Sequence, residues 1–281
     1  MDILAILRHY NIRPSKGLGQ NFLVDESVLE RILEASDLSP GDIILEVGPG
    51  TGLLTRRLAQ VAASVIAIEL DRKMLPVLAE ALRGYTNVHI IQGDILELNP
   101  VTEITRALEI TDVGSLRYQV IANLPYYITS AALRHLLAAR VRPERLTVMV
   151  QREVAQRIMA PPGELSLLAI SVQVFGAPEI ACLVPARAFF PQPKVDSAVL
   201  RVRIYDRPRV AVEEQTRFFA TVRAGFAQKR KQVHNSLTHA LHVPREGVLA
   251  ALAEAGIAPD RRPQTLSIEE WASLAKALPL G

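Results

Sequence analysis

The sequence predicts an α/β protein: an open, doubly wound sheet with helices on both faces, then a small all-helical C-terminal domain. Three observations predict it. Short apolar runs alternate with helical patterns from residue 28 to residue 204, as βα units do. One run, 43–47, opens into Gly48-Pro49-Gly50-Thr51-Gly52 and then a helical stretch, which is how a nucleotide-binding sheet begins. Beyond Asp206-Arg207-Pro208-Arg209 the pattern is helical, with no convincing strand.

Strands are expected at 43–47, 64–69, 88–91, 117–122, 146–151, 180–184 and 197–204. The last two lie close in sequence and suggest a hairpin that finishes the sheet. Helices are expected at 28–35 with Asp25 as N-cap, at 53–61 just after the glycines, and at 131–140. C-terminal helices are expected at 212–226, 228–240, 246–255 and 267–277. The expected domains are therefore 1–206 and 207–281.

Of the 281 residues, 49% are hydrophobic, enough for a core that needs neither disulfide nor metal. A single cysteine, Cys182, excludes cysteine-based zinc sites, and the six histidines have no zinc-binding spacing. No metal is expected. No apolar run reaches the roughly 18 residues of a membrane span. The first ten residues are too short and interrupted for a signal peptide. The expectation is a soluble cytoplasmic protein without membrane contact, most simply a monomer.

The glycine loop lets the backbone approach a ligand with no Cβ in the way. Its G-x-G-x-G spacing differs from the G-x-G-x-x-G of pyrophosphate cofactors and leans toward a cofactor lacking phosphates. Gly48 and Gly50 are the candidate contacts. Glu69 ends the second strand, 21 residues after Gly48, where a carboxylate accepts from both ribose hydroxyls. Asp94 follows Gly93 at the third strand's end. It can accept from an adenine amino group, or form an Asx turn.

Asn123-Leu124-Pro125-Tyr126-Tyr127 follows another apolar strand. An exocyclic amine on adenine is a poor nucleophile, because its lone pair is delocalised into the ring. Acceptors aimed at its two N–H bonds coax it toward tetrahedral geometry and stabilise the developing positive charge. Asn123 offers a side-chain carbonyl and Leu124 a backbone carbonyl. Pro125 stiffens the turn. Tyr126 offers a stacking face worth about 1–3 kcal/mol per base. A methyltransferase acting on adenine with S-adenosylmethionine, leaving S-adenosylhomocysteine, fits both motifs.

Charge is uneven. Residues 201–245 carry ten Lys/Arg against three Asp/Glu, while the segments on either side are each slightly acidic. A basic patch on a near-neutral protein points to a polyanion. Arg223, Lys229, Arg230 and Lys231, with His234, are the candidate phosphate contacts. Phe226 and Leu237 read as core.

These segments, in order, resemble the ribosomal RNA adenine dimethyltransferases. The resemblance spans nearly the whole chain. It is carried by Lys16-Gly17-Leu18-Gly19-Gln20-Asn21-Phe22-Leu23, Glu46-Val47 with the glycine loop, Glu69, Gly93-Asp94 and the Asn123–Tyr127 turn. Phe189-Phe190-Pro191-Gln192-Pro193-Lys194-Val195-Asp196-Ser197, the 226–231 segment and Asn235-Ser236-Leu237 complete it. The resemblance implies a Rossmann-like class I methyltransferase domain with a helical RNA-binding appendix. It implies dimethylation at N6 of two adjacent adenosines near the 3′ end of 16S rRNA, within an immature small subunit. By position it places the cofactor contacts at Asn21, Leu23, Gly48, Glu69, Asp94 and Asn123, and adds Gln20, with Gln20 and Asn21 in a loop like a lid. It makes Phe189 the aromatic facing Tyr126 across the target base, with Phe190 an adjacent competitor, whereas on the sequence alone Phe189 reads more readily as core. The chain departs at 164–168, where the family usually has a longer loop with a Tyr-Gly pair, and at Gln192, usually proline.

Three rival readings are a large-subunit dimethylase of the macrolide-resistance type, a non-catalytic assembly factor and a nicotinamide dehydrogenase. The 228–231 and 235–237 patterns favour the small-subunit group over the first. Intact Asn123, Tyr126 and Glu69 disfavour the second. The glycine spacing disfavours the third.

Overall fold

The computed structural model describes residues 3–228 and 230–279. Among the described residues there are nine strands: β1 (Phe22–Leu23), β2 (Ile43–Val47), β3 (Ser64–Glu69), β4 (Val88–Gln92), β5 (Gln119–Asn123), β6 (Arg145–Gln151), β7 (Gly176–Val184), β8 (Phe189–Phe190) and β9 (Ser197–Ile204). Seven form one sheet in the order β4-β3-β2-β5-β6-β9-β7. The neighbours from β4 to β6 run parallel, and β9 is antiparallel to β6 from Arg145↔Arg203 to Gln151↔Ser197. As expected, the two late strands lie side by side.

The chain steps outward from β2 to β3 and β4, then returns to place β5 on the other side of β2. That reversal is a topological switch point, and ligands of such sheets bind at the carboxyl ends of the strands flanking it. Both sequence motifs sit there. Helices Glu26–Ser36 and Leu53–Ala59 lie where the sequence predicts, and the Asp25 side chain accepts from the Ser27 N–H at 2.9 Å.

The chain divides into two compact units. One comprises 1–155 and 178–204; the other comprises 156–177 and 205–281. The second boundary lies within two residues of the break expected near 206. The excursion 156–177 differs from a single break, and backbone bonding explains it. Tyr205 N–H donates to the Phe175 carbonyl at 2.8 Å, Arg209 N–H to Val174 at 2.9 Å, and Leu165 N–H to Gln264 at 3.1 Å. The Phe175 and Phe219 rings stack at 5.9 Å.

The second unit packs helices Gln215–Gly225, Val233–Leu241, Arg245–Glu254 and Ile268–Ala277. Its second helix begins five residues later than expected, because Gln232 is extended and Val233 N–H donates to Arg261 O. Trp271 is fully buried, and a Cβ on Gly225 would lie 2.2 Å from its ring. Glycine to alanine inside a helix ordinarily stabilises. Here the rigid indole reverses the sign. Gly225→Ala is expected to lower the melting temperature by about 5 °C, from an overpacking cost of about 1–3 kcal/mol. Calorimetry checks this. Among the described residues no helix is long and apolar enough to cross a membrane.

Candidate active site

The first unit holds a cleft, open to solvent, at the carboxyl ends of β2, β3 and β5. Gly48, Gly50, Glu69, Asp94, Asn123, Leu124 and Tyr126 all line it, as do Gln20, Asn21 and Leu23.

The glycine loop needs its glycines. Gly50 has φ +56°, and a Cβ there would lie 3.1 Å from the Phe22 ring. Gly48 also has positive φ, and its N–H donates to Ile68 O at 2.9 Å, stitching the loop to β3. Glu69 is 5% exposed. One of its oxygens accepts from Gly50 N–H at 3.1 Å and the other from Asp71 N–H at 2.7 Å. Burial raises its pKa, and these two backbone donors offset part of the rise. The carboxylate is thereby aimed, and each oxygen keeps a lone pair for a ribose hydroxyl. Asp94 forms the Asx turn: its Oδ1 accepts from Leu96 N–H at 2.8 Å, and it still faces the cleft.

Sequence reasoning passed over Glu46. It is 1% exposed, it lines the cleft, and its Oε2 has no hydrogen-bond partner. Burial pushes its pKa up to about 8, with the nearby Glu69 charge adding to the rise. An orphaned buried carboxyl beside a ribose-binding carboxylate suits a ligand that brings a cationic or donor group. The α-ammonium of S-adenosylmethionine is such a group, so the residues present fit that cofactor. The signal was available, since an acid inside the apolar run 43–47 is anomalous.

At the end of β5, Asn123 Nδ2 donates to Asn21 O at 3.1 Å. That bond sets the amide's orientation and leaves Oδ1 with no donor among the described residues. The Leu124 carbonyl accepts from none of them either. The turn is closed behind these groups by Ile128 N–H and the Thr129 hydroxyl, both donating to Pro125 O. Tyr126 OH bonds Ser197 Oγ at 2.6 Å, and Ser197 is fully buried at the start of β9. The stacking face is therefore held at its far end by a residue quoted in the sequence motif but assigned no role there.

The loop before β1 folds over this region. Gln20 Oε1 accepts from Ser15 N–H at 2.7 Å and its Nε2 donates to Asp71 Oδ2 at 2.9 Å. Both ends of the Gln20 amide are engaged, so it latches the loop to the residue that donates to Glu69. Asn21 contributes the carbonyl that orients Asn123. Leu23 lies in β1, paired opposite Phe189 of β8.

Phe189 is 3% exposed, packs among Leu23, Val184 and Val199, and does not line the cleft. The structure thus brings Asn123, Leu124 and Tyr126 together and leaves Phe189 in the core beneath. Phe190 is 38% exposed.

In the second unit Arg223, Arg230 and Lys231 are exposed and make no ion pair among the described residues. Lys229 lies outside the described residues. His234 is buried, with Nδ1 at 2.7 Å from Pro259 O, so it ties two segments of the unit and is removed from the phosphate set. Arg262 is exposed as well, next to Arg261, whose carbonyl receives Val233 N–H. It lay outside the charged segment scanned in sequence. Phe226 packs at 5.8 Å from Trp271 and Leu237 is fully buried, both as expected.

A doubly wound sheet with a phosphate-free nucleoside cleft at its switch point, and free acceptors one strand away, defines a class I methyltransferase of amino groups. Comparison with known proteins narrows the class. A family model described as ribosomal RNA adenine dimethylase matches residues 11–279, and the chain belongs to that family. It is 44% identical to ribosomal RNA small subunit methyltransferase A of Dehalococcoides mccartyi, over 96% of this chain and 90% of the relative. It is 45% identical to the protein of the same name from Pelotomaculum thermopropionicum, over 97% and 94%. Among solved structures, a dimethyladenosine transferase from Plasmodium falciparum superposes with TM-score 0.74 at 25% identity, covering 90% of this chain and 95% of that one. The 23S rRNA methyltransferase ErmE superposes with TM-score 0.68 at 31% identity, covering 92% and 99%.

Proposed function

We propose that this protein transfers methyl groups from S-adenosylmethionine to the N6 atoms of two adjacent adenosines near the 3′ end of 16S rRNA, giving N6,N6-dimethyladenosine. The observation that carries the reading is the pair of free acceptors, Asn123 Oδ1 and Leu124 O, at the end of β5.

The bound cofactor supplies a sulfonium methyl that is already a strong electrophile. Everything else falls to the chain. Gly48 and Gly50 admit the nucleoside closely, Glu69 holds the ribose, and Asp94 takes the adenine edge. Glu46 receives the ammonium end. Asn123 and Leu124 accept from the target amine and stabilise its positive charge as the methyl arrives. Tyr126, held by Ser197, stacks on the target adenine, while Phe189 braces the β1–β8 ribbon from the core side. For the second transfer the base reseats so that its remaining N–H meets the same acceptors.

Arg223, Lys229, Arg230 and Lys231 meet phosphates of rRNA in an immature small subunit. The protein acts as a monomer in the cytoplasm. The names of the two curated relatives support the small subunit as substrate; the solved 23S enzyme keeps a large-subunit reading in play.

The test is methyl transfer from labelled S-adenosylmethionine to unmodified small subunits and, in parallel, to large-subunit RNA, with digestion to nucleosides. Label in N6,N6-dimethyladenosine from the small subunit alone is expected. Label on large-subunit RNA instead would move the protein to the resistance-type enzymes.

A further inference from the structure

Phe190 has no part in the cleft, yet its position is built. The β1–β8 ribbon pairs Phe22 with Phe190 and Leu23 with Phe189. Cross-strand partners in an antiparallel pair point to the same face, and neighbours along a strand to opposite faces. Phe189 and Leu23 therefore share the core side. Phe190 shares the side of Phe22, whose ring stands over the glycine loop in the cleft wall. One strand further out, Phe190 is 38% exposed, and Val195 on the same loop is 47% exposed.

The loop that carries them is held at both ends. Asp196 Oδ1 accepts from Ala186 N–H at 2.9 Å, and Asp196 O accepts from Arg152 N–H at 3.0 Å. Its last contact is Ser197 Oγ on Tyr126 OH at 2.6 Å. The platform that stacks the target base and the loop bearing Phe190 are thus joined by one hydrogen bond. Lys194 stands exposed between Phe190 and Val195 and makes no ion pair among the described residues. The Asp196 carboxylate is turned to Ala186 N–H. An exposed aromatic and, four residues on, a cation without an ion pair among the described residues, on a loop tied to the base-stacking tyrosine, is the chemistry that holds single-stranded nucleic acid.

We propose that Phe190 and Lys194 seat the nucleotide adjoining the target adenosine, Phe190 stacking on its base and Lys194 meeting its phosphate. This rests on the RNA-methylating reading above and deepens it. It gives the first unit its own grip on the strand, separate from the basic helices of the second. It also provides a place for whichever of two adjacent adenosines is not in the cleft.

The probe is a single-stranded RNA octamer with two adjacent adenosines, carrying 2-aminopurine next to them in one version and at the target position in another. Phe190→Ala is expected to weaken octamer binding about tenfold, the size of one base-aromatic stack, and to restore fluorescence to the neighbouring 2-aminopurine. Phe190→Trp should retain both. Lys194→Gln should lower the slope of log affinity against log salt by about 0.7, one single-strand phosphate contact. Affinity for S-adenosylhomocysteine should stay unchanged in all three. The proposal is overturned if Phe190→Ala binds the octamer like the parent, or changes fluorescence only at the target position. It is equally overturned if S-adenosylhomocysteine affinity falls in step. A parent protein that methylates rRNA while the variants bind alike sinks this assignment alone; a parent that methylates no rRNA removes both readings.

Discussion

Asn123→Ala is expected to reduce methyl transfer by about 10²–10³-fold in kcat, the scale of removing one preorganised electrostatic contact from a transition state. Two roles are lost together. Oδ1 no longer accepts from the target amine, and Nδ2 no longer donates to Asn21 O, which stands 3.1 Å away. The second loss loosens the loop over the cofactor, so S-adenosylhomocysteine affinity should fall as well, by a smaller factor of about 5–10 for one neutral hydrogen bond. Asn123→Asp separates the roles. It keeps an acceptor for the amine but turns a carboxylate oxygen on the Asn21 carbonyl. Its cofactor affinity should therefore fall below that of the alanine variant. Single-turnover transfer and calorimetric titration read the two quantities independently. A kcat within threefold of the parent in Asn123→Ala would remove Asn123 from the chemistry.

The second large effect is on stability and runs with pH. Glu46 is buried without a partner for Oε2, and burial pushes its pKa up to about 8 from an ordinary 4.5. A carboxyl whose folded pKa is raised contributes stability that is complete below its unfolded pKa. That contribution is lost as pH rises through the folded value. The cofactor-free protein should therefore lose stability steadily from pH 5 to pH 8.5, by up to about 4 kcal/mol. Glu46→Gln carries no such proton. Its melting temperature should match the parent near pH 4.5 and exceed it by several degrees at pH 8.5. Cofactor affinity should show the opposite face of the same proton. A cationic ligand favours the ionised carboxyl, so binding should release a proton and strengthen between pH 6.5 and 9 in the parent, and stay flat in Glu46→Gln. Thermal scans and titrations across that range check both. A parent melting curve with no pH dependence that the variant lacks would refute the assignment.

Much of this was legible in the sequence because it is local. The strand, glycine turn and helix at 43–59 are fixed by periodicity and by backbone conformations that only glycine takes readily. The Asn123–Tyr127 turn announces itself through its proline. What escaped depends on distant pairing. A two-residue strand has no period, so β1 and β8 were invisible. With them went the parity that puts Phe189 inside and Phe190 outside. Gln20 looks like a cofactor ligand until Asp71, fifty-one residues on, is seen to take its amide. Glu46 sat inside a motif already quoted, but its lack of a partner belongs to three dimensions. The excursion 156–177 is committed by backbone bonds to 205, 209 and 264, which composition cannot register.

The bond from Gln20 to Asp71 also bears on tempo. One neutral-to-charged hydrogen bond contributes about 1.5–3 kcal/mol at best, and less when half exposed, so thermal motion breaks it many times before a single turnover. Dimethylating two bases consumes four donor molecules, and each spent one must leave past this loop. A tighter fastening would strand the spent donor beside a half-modified base. The latch is a swinging door, strong enough to hold Asp71, and through it Glu69, in place and weak enough to open between transfers.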